Sequence, residues 1–291
     1  MKILLIGHSI IDHLEITGKE LIKPGGILYS TIGMLSFKKN EDEIFLLTGI
    51  NENNSGLFNK IYSKVNLDYS CKVNDMPEVF LKTFEDKERE EVYKNLSSQL
   101  SLDKVSNWNQ FDGILINMIT GYDLSLEQLR YIRKSFKGLI CFDVHTLSRG
   151  IDKNMKREFR SVPEPEKWLA NIDVLQCNES ELKTVIDKDE PEAAENILSM
   201  GPIILIVTKG EGGVTAYSKM KSEIISYNLP AEKVKVINKI GCGDIFGTIF
   251  FYSYLSSKNI LESLKLANKI AGLSVSHNII DNPEVIKMYV K

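Results

Sequence analysis

The chain has 291 residues, of which 43% are hydrophobic, and a formal net charge of −3 with acidic and basic residues interspersed. This length and composition suffice for one large α/β unit with a sizeable core. Without a basic stripe, the sequence argues against a nucleic-acid partner or an anionic membrane surface. Its apolar runs are all too short for a membrane span.

The four cysteines are far apart in sequence and form no Cys-x-x-Cys pair: they are Cys71, Cys141, Cys177 and Cys242. Their spacing supports neither a zinc site nor a disulfide framework. Most lie in or beside apolar runs, so we expect buried free thiols in a reducing compartment, which predicts a cytoplasmic protein.

Short apolar runs rich in β-branched and large aliphatic residues predict strands that are buried on both faces of a parallel sheet. In chain order these runs cover residues 3–6, 44–48, 113–117, 139–143, 174–177 and 203–208. Helix-like stretches at 126–136, 180–186 and 192–200 lie between the later runs. This alternation predicts a layered α/β fold with a mostly parallel central sheet and helices on both faces.

Two segments break this rhythm, because residues 13–24 and 77–94 alternate polar with apolar residues and carry many charges. Such alternation is typical of a small antiparallel sheet with one wet face, and we predict a β lid there. The sequence shows no internal repeat and no low-complexity linker. We therefore predict a single domain over residues 1–291 that includes both lid segments.

The last third of the chain predicts antiparallel strands followed by helices. Residues 214–217 and 224–228 predict a hairpin, and residues 233–237 predict one more strand. Two helices are then expected, from about residue 244 to 257 and from about residue 260 to 277.

The strongest local signal is the run Gly241-Cys242-Gly243-Asp244 at the start of the first of these helices. Two glycines there let the backbone turn tightly and approach a ligand, and the N–H groups at the helix start favour an anion. Asp244 either caps the helix or acts as a base beside the bound anion. The residues alone leave both interpretations open.

Further motifs follow predicted strand ends or lie beside them, where open α/β sheets bind ligands. They are Gly7-His8-Ser9-Ile10-Ile11-Asp12, Pro24-Gly25-Gly26, Asn178-Glu179-Ser180-Glu181 and Thr208-Lys209-Gly210-Glu211-Gly212-Gly213. Together with the run from Gly241 to Asp244, this ordered set resembles the ribokinase (PfkB) family of carbohydrate kinases over nearly the whole chain. The resemblance implies a ribokinase-like three-layer fold.

The resemblance also implies a role for each matched residue. It makes Asp244 the catalytic base and makes Gly241, Cys242 and Gly243 the anion hole for the transferring phosphoryl group. The implied acceptor-binding residues are Asp12, Gly25, Gly26 and Ser30. The implied nucleotide-binding residues are Asn178, Glu181, Thr208, Gly210, Gly212 and Asn268, and Glu181 is expected to hold Mg²⁺ through water.

The implied activity is transfer of the γ-phosphoryl group of ATP, with Mg²⁺, to a hydroxyl of a sugar or sugar derivative. A nucleoside kinase of the adenosine-kinase kind remains an alternative, with Tyr29 as the candidate residue for stacking on a base. A second alternative is a catalytically impaired homologue that binds sugar or nucleotide. The oligomeric state is open, and a homodimer is one option.

The chain departs from the family pattern at three residues. It has Asn238-Lys239 where the family usually has Asp-Thr, and since Asn lacks the charge of that Asp, we predict weak or absent activation by a monovalent cation such as K⁺. Ser30 stands where many members have Asn. One further motif, residues 143–146, follows a predicted strand and either contacts the substrate or caps the next turn.

Overall fold

The structure is a computed structural model that describes residues 1–16, 19–82, 90–221 and 223–290. The strands are β1 (Lys2–Ile6), β2 (Ser9–Ile16), β3 (Lys19–Gly26), β4 (Glu43–Leu47), β5 (Gly49–Ile50), β6 (Cys71–Lys72), β7 (Glu78–Lys82), β8 (Glu90–Asn95), β9 (Gly113–Asn117), β10 (Leu139–Asp143), β11 (Arg149–Ile151), β12 (Arg157–Phe159), β13 (Val174–Asn178), β14 (Ile204–Thr208), β15 (Val214–Met220) and β16 (Glu223–Leu229). The helices are α1 (Leu28–Phe37), α2 (Ser55–Tyr62), α3 (Leu126–Ser135), α4 (Pro165–Leu169), α5 (Glu179–Val185), α6 (Glu190–Met200), α7 (Cys242–Ser257), α8 (Ile260–Ser274) and α9 (Val285–Val290).

The central sheet has eight strands in the order β16-β15-β14-β13-β10-β9-β1-β4. The six strands from β14 to β4 are parallel, and β15 and β16 add an antiparallel edge. Each predicted central strand is observed with bounds within one residue of those predicted. The carboxyl ends of the parallel strands therefore lie at one edge of the sheet, as ligand binding in such folds requires.

Helices cover both faces of this sheet, and the side chains of each strand alternate between two hydrophobic cores. In β1, Ile3 and Leu5 pack in the core that includes residues of α1, α7 and α8. Leu4 and Ile6 pack in the opposite core, which includes residues of α3 and α6. All four side chains are fully buried. The predicted mostly parallel α/β fold with helices on both faces is confirmed.

A second sheet, with the order β3-β2-β7-β8, is formed by the two segments predicted as a lid, and we call it the lid sheet. Residues 17–18 and 83–89 of those segments lie outside the described residues. The outer pairs are antiparallel as predicted, but β2 and β7 pair in parallel. A parallel pair arises here because β2 and β7 are not joined by a turn: the chain between them passes through the main domain.

The lid sheet is attached to the main domain along β8. Tyr93 N–H donates to the carbonyl of Met155 over 2.8 Å, and Val92 bridges to Lys156. Beside them, Glu91 forms a buried ion pair with Arg157, with 2.5 Å between Oε2 and Nη1. Strand β8 is thus held to the segment that connects β11 and β12.

The prediction of a strand over residues 233–237 is wrong. The structure shows an irregular segment there, and Ile237 is 62% exposed. The N–H groups of Ile237 and Asn238 both donate to the carbonyl of Val275, at the end of α8. The segment therefore obtains its backbone hydrogen bonds from a helix terminus instead of from the edge strand β16. Within the part of the chain that is described, no helix has both the length and the apolar character needed to cross a bilayer.

Candidate active site

Two adjoining cavities lie near the carboxyl ends of the parallel strands, and one of them is also lined by residues of the lid sheet. One, which we call the lid cavity, has a volume of about 30 Å³ and includes Asp12, Gly26 and Tyr29 in its wall. The other, which we call the strand-end cavity, has a volume of about 260 Å³. Three residues line both cavities: His145, Gly241 and Asp244.

Asp244 lies in the first turn of α7, directly after the predicted anion-hole residues. Gly241 precedes the helix with a φ of +77°, and a Cβ there would lie 2.0 Å from the ring of Tyr29, so the position requires glycine on two grounds. Cys242 and Gly243 line the strand-end cavity. The three predicted anion-hole residues are thus adjacent at the start of α7, where the N–H of Cys242 donates to the carbonyl of Lys239 over 3.4 Å.

The carboxylate of Asp244 is bound by Asn117, the last residue of β9. Asn117 Nδ2 donates to Asp244 Oδ1 over 2.5 Å. Among the described residues, this is the hydrogen bond that the Asp244 carboxylate makes. The carboxylate makes no capping hydrogen bond to the described backbone N–H groups at the start of α7. Of the two interpretations left open by the sequence, the capping role therefore has no supporting contact. Asn117 was missed at the sequence level, although a polar residue that ends an apolar strand was an available signal.

Asp12 and Gly26 line the lid cavity, and Gly25 packs against the Asp12 carboxylate. Asp12 is 3% exposed, and a Cβ on Gly25 would lie 2.1 Å from its Oδ2 atom. Gly26 has a φ of +67°, and a Cβ there would lie 2.3 Å from the carbonyl oxygen of His8. The glycine pair therefore makes room for the Asp12 carboxylate and for the strand that carries it.

Ser30, which was predicted to bind the phosphoryl acceptor, does not line the lid cavity. It is fully buried on α1 and accepts a hydrogen bond from Asn117 Nδ2 over 3.4 Å. In this structure Ser30 contacts the residue that holds Asp244.

The Asn-x-x-Glu motif forms the start of α5 and part of the strand-end cavity. Asn178 N–H donates to Glu181 Oε2 over 2.9 Å, and Glu181 N–H donates to Asn178 Oδ1 over 2.8 Å. This reciprocal capping box fixes both side chains at the cavity wall. A structural and a binding role are thus compatible at these two positions.

Three carboxyl groups line the strand-end cavity, those of Asp143, Glu181 and Asp244. Burial raises the pKa of Asp143 well above its ordinary value, and the carboxylates of Glu181 and Asp244 raise it further. Clustered carboxylate oxygens suit a hard cation such as Mg²⁺. Over the ranges that the structure describes, no three acidic, histidine or cysteine side chains are close enough to bind an ion directly. The donor set fits Mg²⁺ held through water and substrate phosphates.

The other residues predicted to bind the nucleotide are placed differently. Thr208 lines the strand-end cavity. Gly210 and Gly212 lie in the 3₁₀ turn that follows β14, outside the cavity wall. Asn268, on α8, donates from Nδ2 to the carbonyl of Pro230 over 2.8 Å and is also outside that wall. The structure therefore places Thr208 in the wall of the strand-end cavity, but not Gly210, Gly212 or Asn268.

Two basic side chains also line the strand-end cavity. Arg149 stacks on the ring of Phe159 at 4.6 Å from its centroid, and its Nη1 atom is 3.7 Å from Glu91. Lys239 is 64% exposed, and its Nζ atom is 3.6 Å from Glu211. The neighbouring Asn238 uses its side-chain oxygen to accept from Ile240 N–H over 2.9 Å. Arg149 is thus a fixed charge at this cavity, whereas Lys239 extends to the surface.

The known proteins and the family model that this chain matches are described as sugar or carbohydrate kinases. Residues 145–284 match the family model described as pfkB family carbohydrate kinase. A protein of Archaeoglobus fulgidus described as an uncharacterized sugar kinase is 30% identical over 125 residues, which cover 43% of this chain and 48% of that protein. The ribokinase of Mus musculus is 33% identical over 110 residues, covering 35% and 33%. The matched part is thus half the length of these relatives or less.

Solved structures of the ribokinase family resemble this chain over nearly its full length. A pyrophosphate-dependent kinase in the ribokinase family, complexed with a pyrophosphate analog and myo-inositol, has a TM-score of 0.78 at 17% identity and covers 95% of this chain and 96% of its own. An Arabidopsis thaliana ribokinase complexed with ribose and ATP has a TM-score of 0.75 at 16% identity, with coverage of 100% and 98%. The predicted ribokinase-like fold is confirmed.

Proposed function

We propose that this chain, a ribokinase-like protein with a PfkB family match, transfers the γ-phosphoryl group of ATP to a hydroxyl of a sugar or a sugar-like polyol. The observation that carries the proposal is the position of Asp244, which lines both cavities. A base for phosphoryl transfer must reach the acceptor hydroxyl on one side and the phosphoryl group on the other. Asp244 meets that requirement without any rearrangement of α7.

In the proposed reaction, Asp12 binds hydroxyls of the acceptor in the lid cavity, and Asp244 takes the proton of the hydroxyl that attacks. The backbone N–H groups of Gly241, Cys242 and Gly243 stabilise the charge that develops on the phosphoryl oxygens. Bound Mg²⁺ would supply charge neutralisation of the donor phosphates. Glu181, fixed by its capping box, would orient the water through which that ion is held.

A small polyol is favoured over a nucleoside as acceptor. The lid cavity has a volume of about 30 Å³, so even a sugar has to displace lid side chains as it enters. Tyr29, the candidate for stacking on a base, is 4% exposed, and its ring packs against Gly241. Tyr29 lines the lid cavity, but little of its ring is accessible for stacking on a base. The impaired homologue is disfavoured by the intact contact between Asn117 and Asp244.

Pyrophosphate is a second candidate donor. The phosphate side of the site is an open cavity, whereas the residue predicted for the nucleoside end, Asn268, is bonded to Pro230. Nearby, Glu232 packs over Gly272 of α8, where a Cβ would lie 2.7 Å from the Cβ of Glu232. These contacts occupy the position that the resemblance implies for the nucleoside, which favours a donor that has no nucleoside.

The test is a transfer screen with two donors and a catalytic control. Purified protein with Mg²⁺ is incubated with either ATP or pyrophosphate and with sugars, sugar phosphates, inositols and nucleosides, and donor cleavage is followed by release of ADP or of phosphate. We expect acceptor-dependent turnover with at least one polyol, and a rate about 10²- to 10⁴-fold lower with Asp244→Asn. Turnover confined to nucleosides would favour the alternative acceptor, and a lack of turnover with every pair would contradict the proposal.

A further inference from the structure

His145 lies between the two cavities and has an unusual backbone conformation. It follows β10 and lines both the lid cavity and the strand-end cavity. Its φ is +30°, which is uncommon for a residue other than glycine, although histidine, asparagine and aspartate adopt positive φ more often than the rest. The hydrogen bond from His145 N–H to Asp143 Oδ1, at 3.1 Å, helps to hold this turn. Strained residues of this kind concentrate at functional sites.

The hydrogen bonds around Thr146 determine which nitrogen of the His145 ring carries a proton. Thr146 Oγ1 is 2.7 Å from the carbonyl oxygen of Ile119 and 2.9 Å from His145 Nδ1. Each of these contacts needs a hydrogen atom between its two atoms. A carbonyl oxygen has none to give, so the single hydroxyl hydrogen of Thr146 is donated to Ile119.

The contact with His145 must then use a hydrogen from the ring, so Nδ1 is the protonated nitrogen. Arg157 Nη1 also donates to Thr146 Oγ1, over 2.8 Å, which is consistent with a hydroxyl whose own hydrogen points elsewhere. Thr146 is fully buried, and this arrangement is therefore shielded from water. In neutral His145, Nε2 is left as a hydrogen-bond acceptor.

We infer that His145 Nε2 accepts a hydrogen bond from a hydroxyl of the compound to be phosphorylated. This hydroxyl is next to the hydroxyl that faces Asp244, so the site selects compounds with vicinal hydroxyls. This inference rests on the proposed function. A bare ring nitrogen pairs with a donor such as a hydroxyl, whereas a phosphate oxygen offers only lone pairs. His145 is therefore assigned to binding the compound that receives the phosphoryl group, and not to binding the phosphates of ATP. Of the residues that line both cavities, Asp244 is assigned to the attacking hydroxyl, and His145 is the other one whose side chain can accept a hydrogen bond.

Three variants separate this role from folding. His145→Asn keeps a donor near the position of Nδ1, removes the acceptor at Nε2 and suits the positive φ. His145→Gln places an amide oxygen near the position of Nε2. His277→Asn is the matched control, because residue 277 lies outside both cavities. Thermal melts establish that all three fold.

The experiment uses ¹⁵N NMR of the histidine rings in the full chain, with D-ribose, D-fructose and myo-inositol as probes. Free protein should show His145 protonated at Nδ1, and at least one polyol should shift its Nε2 resonance. We expect His145→Asn to bind that polyol about three- to tenfold more weakly, the effect of one neutral hydrogen bond. His145→Gln should recover part of the loss, and His277→Asn should bind normally.

A ring protonated at Nε2, equal affinity in His145→Asn and in wild type, or no response of the Nε2 resonance to any of the polyols would each overturn the inference. Phosphoryl transfer to the same polyols is measured separately. Binding through His145 without any transfer would contradict the proposed function while leaving this inference standing.

Discussion

Asn117 Nδ2 donates a hydrogen bond to Asp244 Oδ1 over 2.5 Å, and this contact joins the end of β9 to the first turn of α7. The contact fixes the carboxylate at the junction of the two cavities. Asn117 Oδ1 is buried and has no hydrogen-bond partner among the described residues. A buried polar atom without a partner costs stability, so this position is better explained by orientation of the carboxylate than by stability of the fold.

The first prediction follows from this contact. Asn117→Leu has a similar shape and removes the donor, so Asp244 loses its fixed orientation. We expect kcat to fall by about 10- to 100-fold, as is typical when a catalytic group is misplaced, with KM for ATP nearly unchanged. Steady-state kinetics on an acceptor found in the screen measure this. Ser30→Ala is the matched control, since its contact with Asn117 is only 3.4 Å and weak. Wild-type kcat in Asn117→Leu would show that Asp244 needs no such support.

The second prediction concerns the base itself. Asp244→Asn keeps the size of the side chain and an oxygen that can accept from Asn117, but it cannot take a proton. We expect kcat to fall by about 10²- to 10⁴-fold, the usual contribution of a general base. ATP affinity by calorimetry and the melting temperature should change little. A variant that turns over at nearly the wild-type rate rules out Asp244 as the base.

The third prediction tests the space around Asp12. In Gly25→Ala the new Cβ would lie 2.1 Å from Asp12 Oδ2, so the carboxylate has to move. We expect KM for the acceptor to rise more than tenfold, with a smaller effect on kcat, because a binding group is displaced. Gly56→Ala is the control, since a Cβ at that position meets no atom within 4 Å. Equal acceptor KM values in the two variants would contradict a binding role for Asp12.

The fourth prediction is a pH dependence of stability. Because the pKa of Asp143 is raised in the folded protein, the folded state holds its proton to higher pH than the unfolded state does. An aspartate in the unfolded state has a pKa of 3.8. As the pH rises above this value, the contribution of Asp143 to the free energy of unfolding falls, and it stops falling once the pH exceeds the raised pKa of the folded state. Asp143→Asn should remove this slope and raise the melting temperature at neutral pH.

Calorimetric melts from pH 4 to 8, with and without MgCl₂ and ATP, measure this effect. Mg-ATP should reduce the difference between wild type and Asp143→Asn, because the bound cation stabilises the charged carboxylate. Parallel stability curves for the two proteins across this pH range would show that Asp143 is not perturbed.

The fifth prediction concerns monovalent cations. Asn238 lacks the charge that the family's Asp provides, so rates in K⁺ and in tetramethylammonium should be similar. Asn238→Asp should introduce activation by K⁺, because an aspartate oxygen can still accept from Ile240 N–H and keep the turn. Strong activation of the wild type by K⁺ would mean that backbone carbonyls bind the ion without a carboxylate.

The central strands and their bounds were predictable because a strand buried on both faces contains a continuous apolar run, such as Ile3–Ile6 in β1 and Ile114–Ile116 in β9. The strand predicted over residues 233–237 failed for the converse reason. Its alternating pattern satisfies the rule for a half-buried strand, but its hydrogen-bond partner is the end of α8, which no local pattern can reveal. The parallel pairing of β2 with β7 likewise depends on segments some sixty residues apart.

In the candidate site, positions set by local backbone requirements were predicted well. Gly241 and Gly25 are needed because a side chain there would collide with Tyr29 or Asp12. Contacts between distant elements were not predictable. The sequence gives no indication that Asn117 would reach Asp244, because the residues are 127 positions apart.

The buried pair of Glu91 and Arg157 has a consequence for how the molecule unfolds. Separating the two would leave an unpaired charge in the interior, which typically costs about 3–5 kcal/mol. Strand β8 therefore does not detach at low cost, and the amide hydrogens of the lid sheet along β8 should exchange with solvent together with those of the central sheet. Entry of a polyol would then depend on displacement of β2, β3 and β7 around a stationary β8, so that one edge of the lid acts as the hinge and the other as the gate.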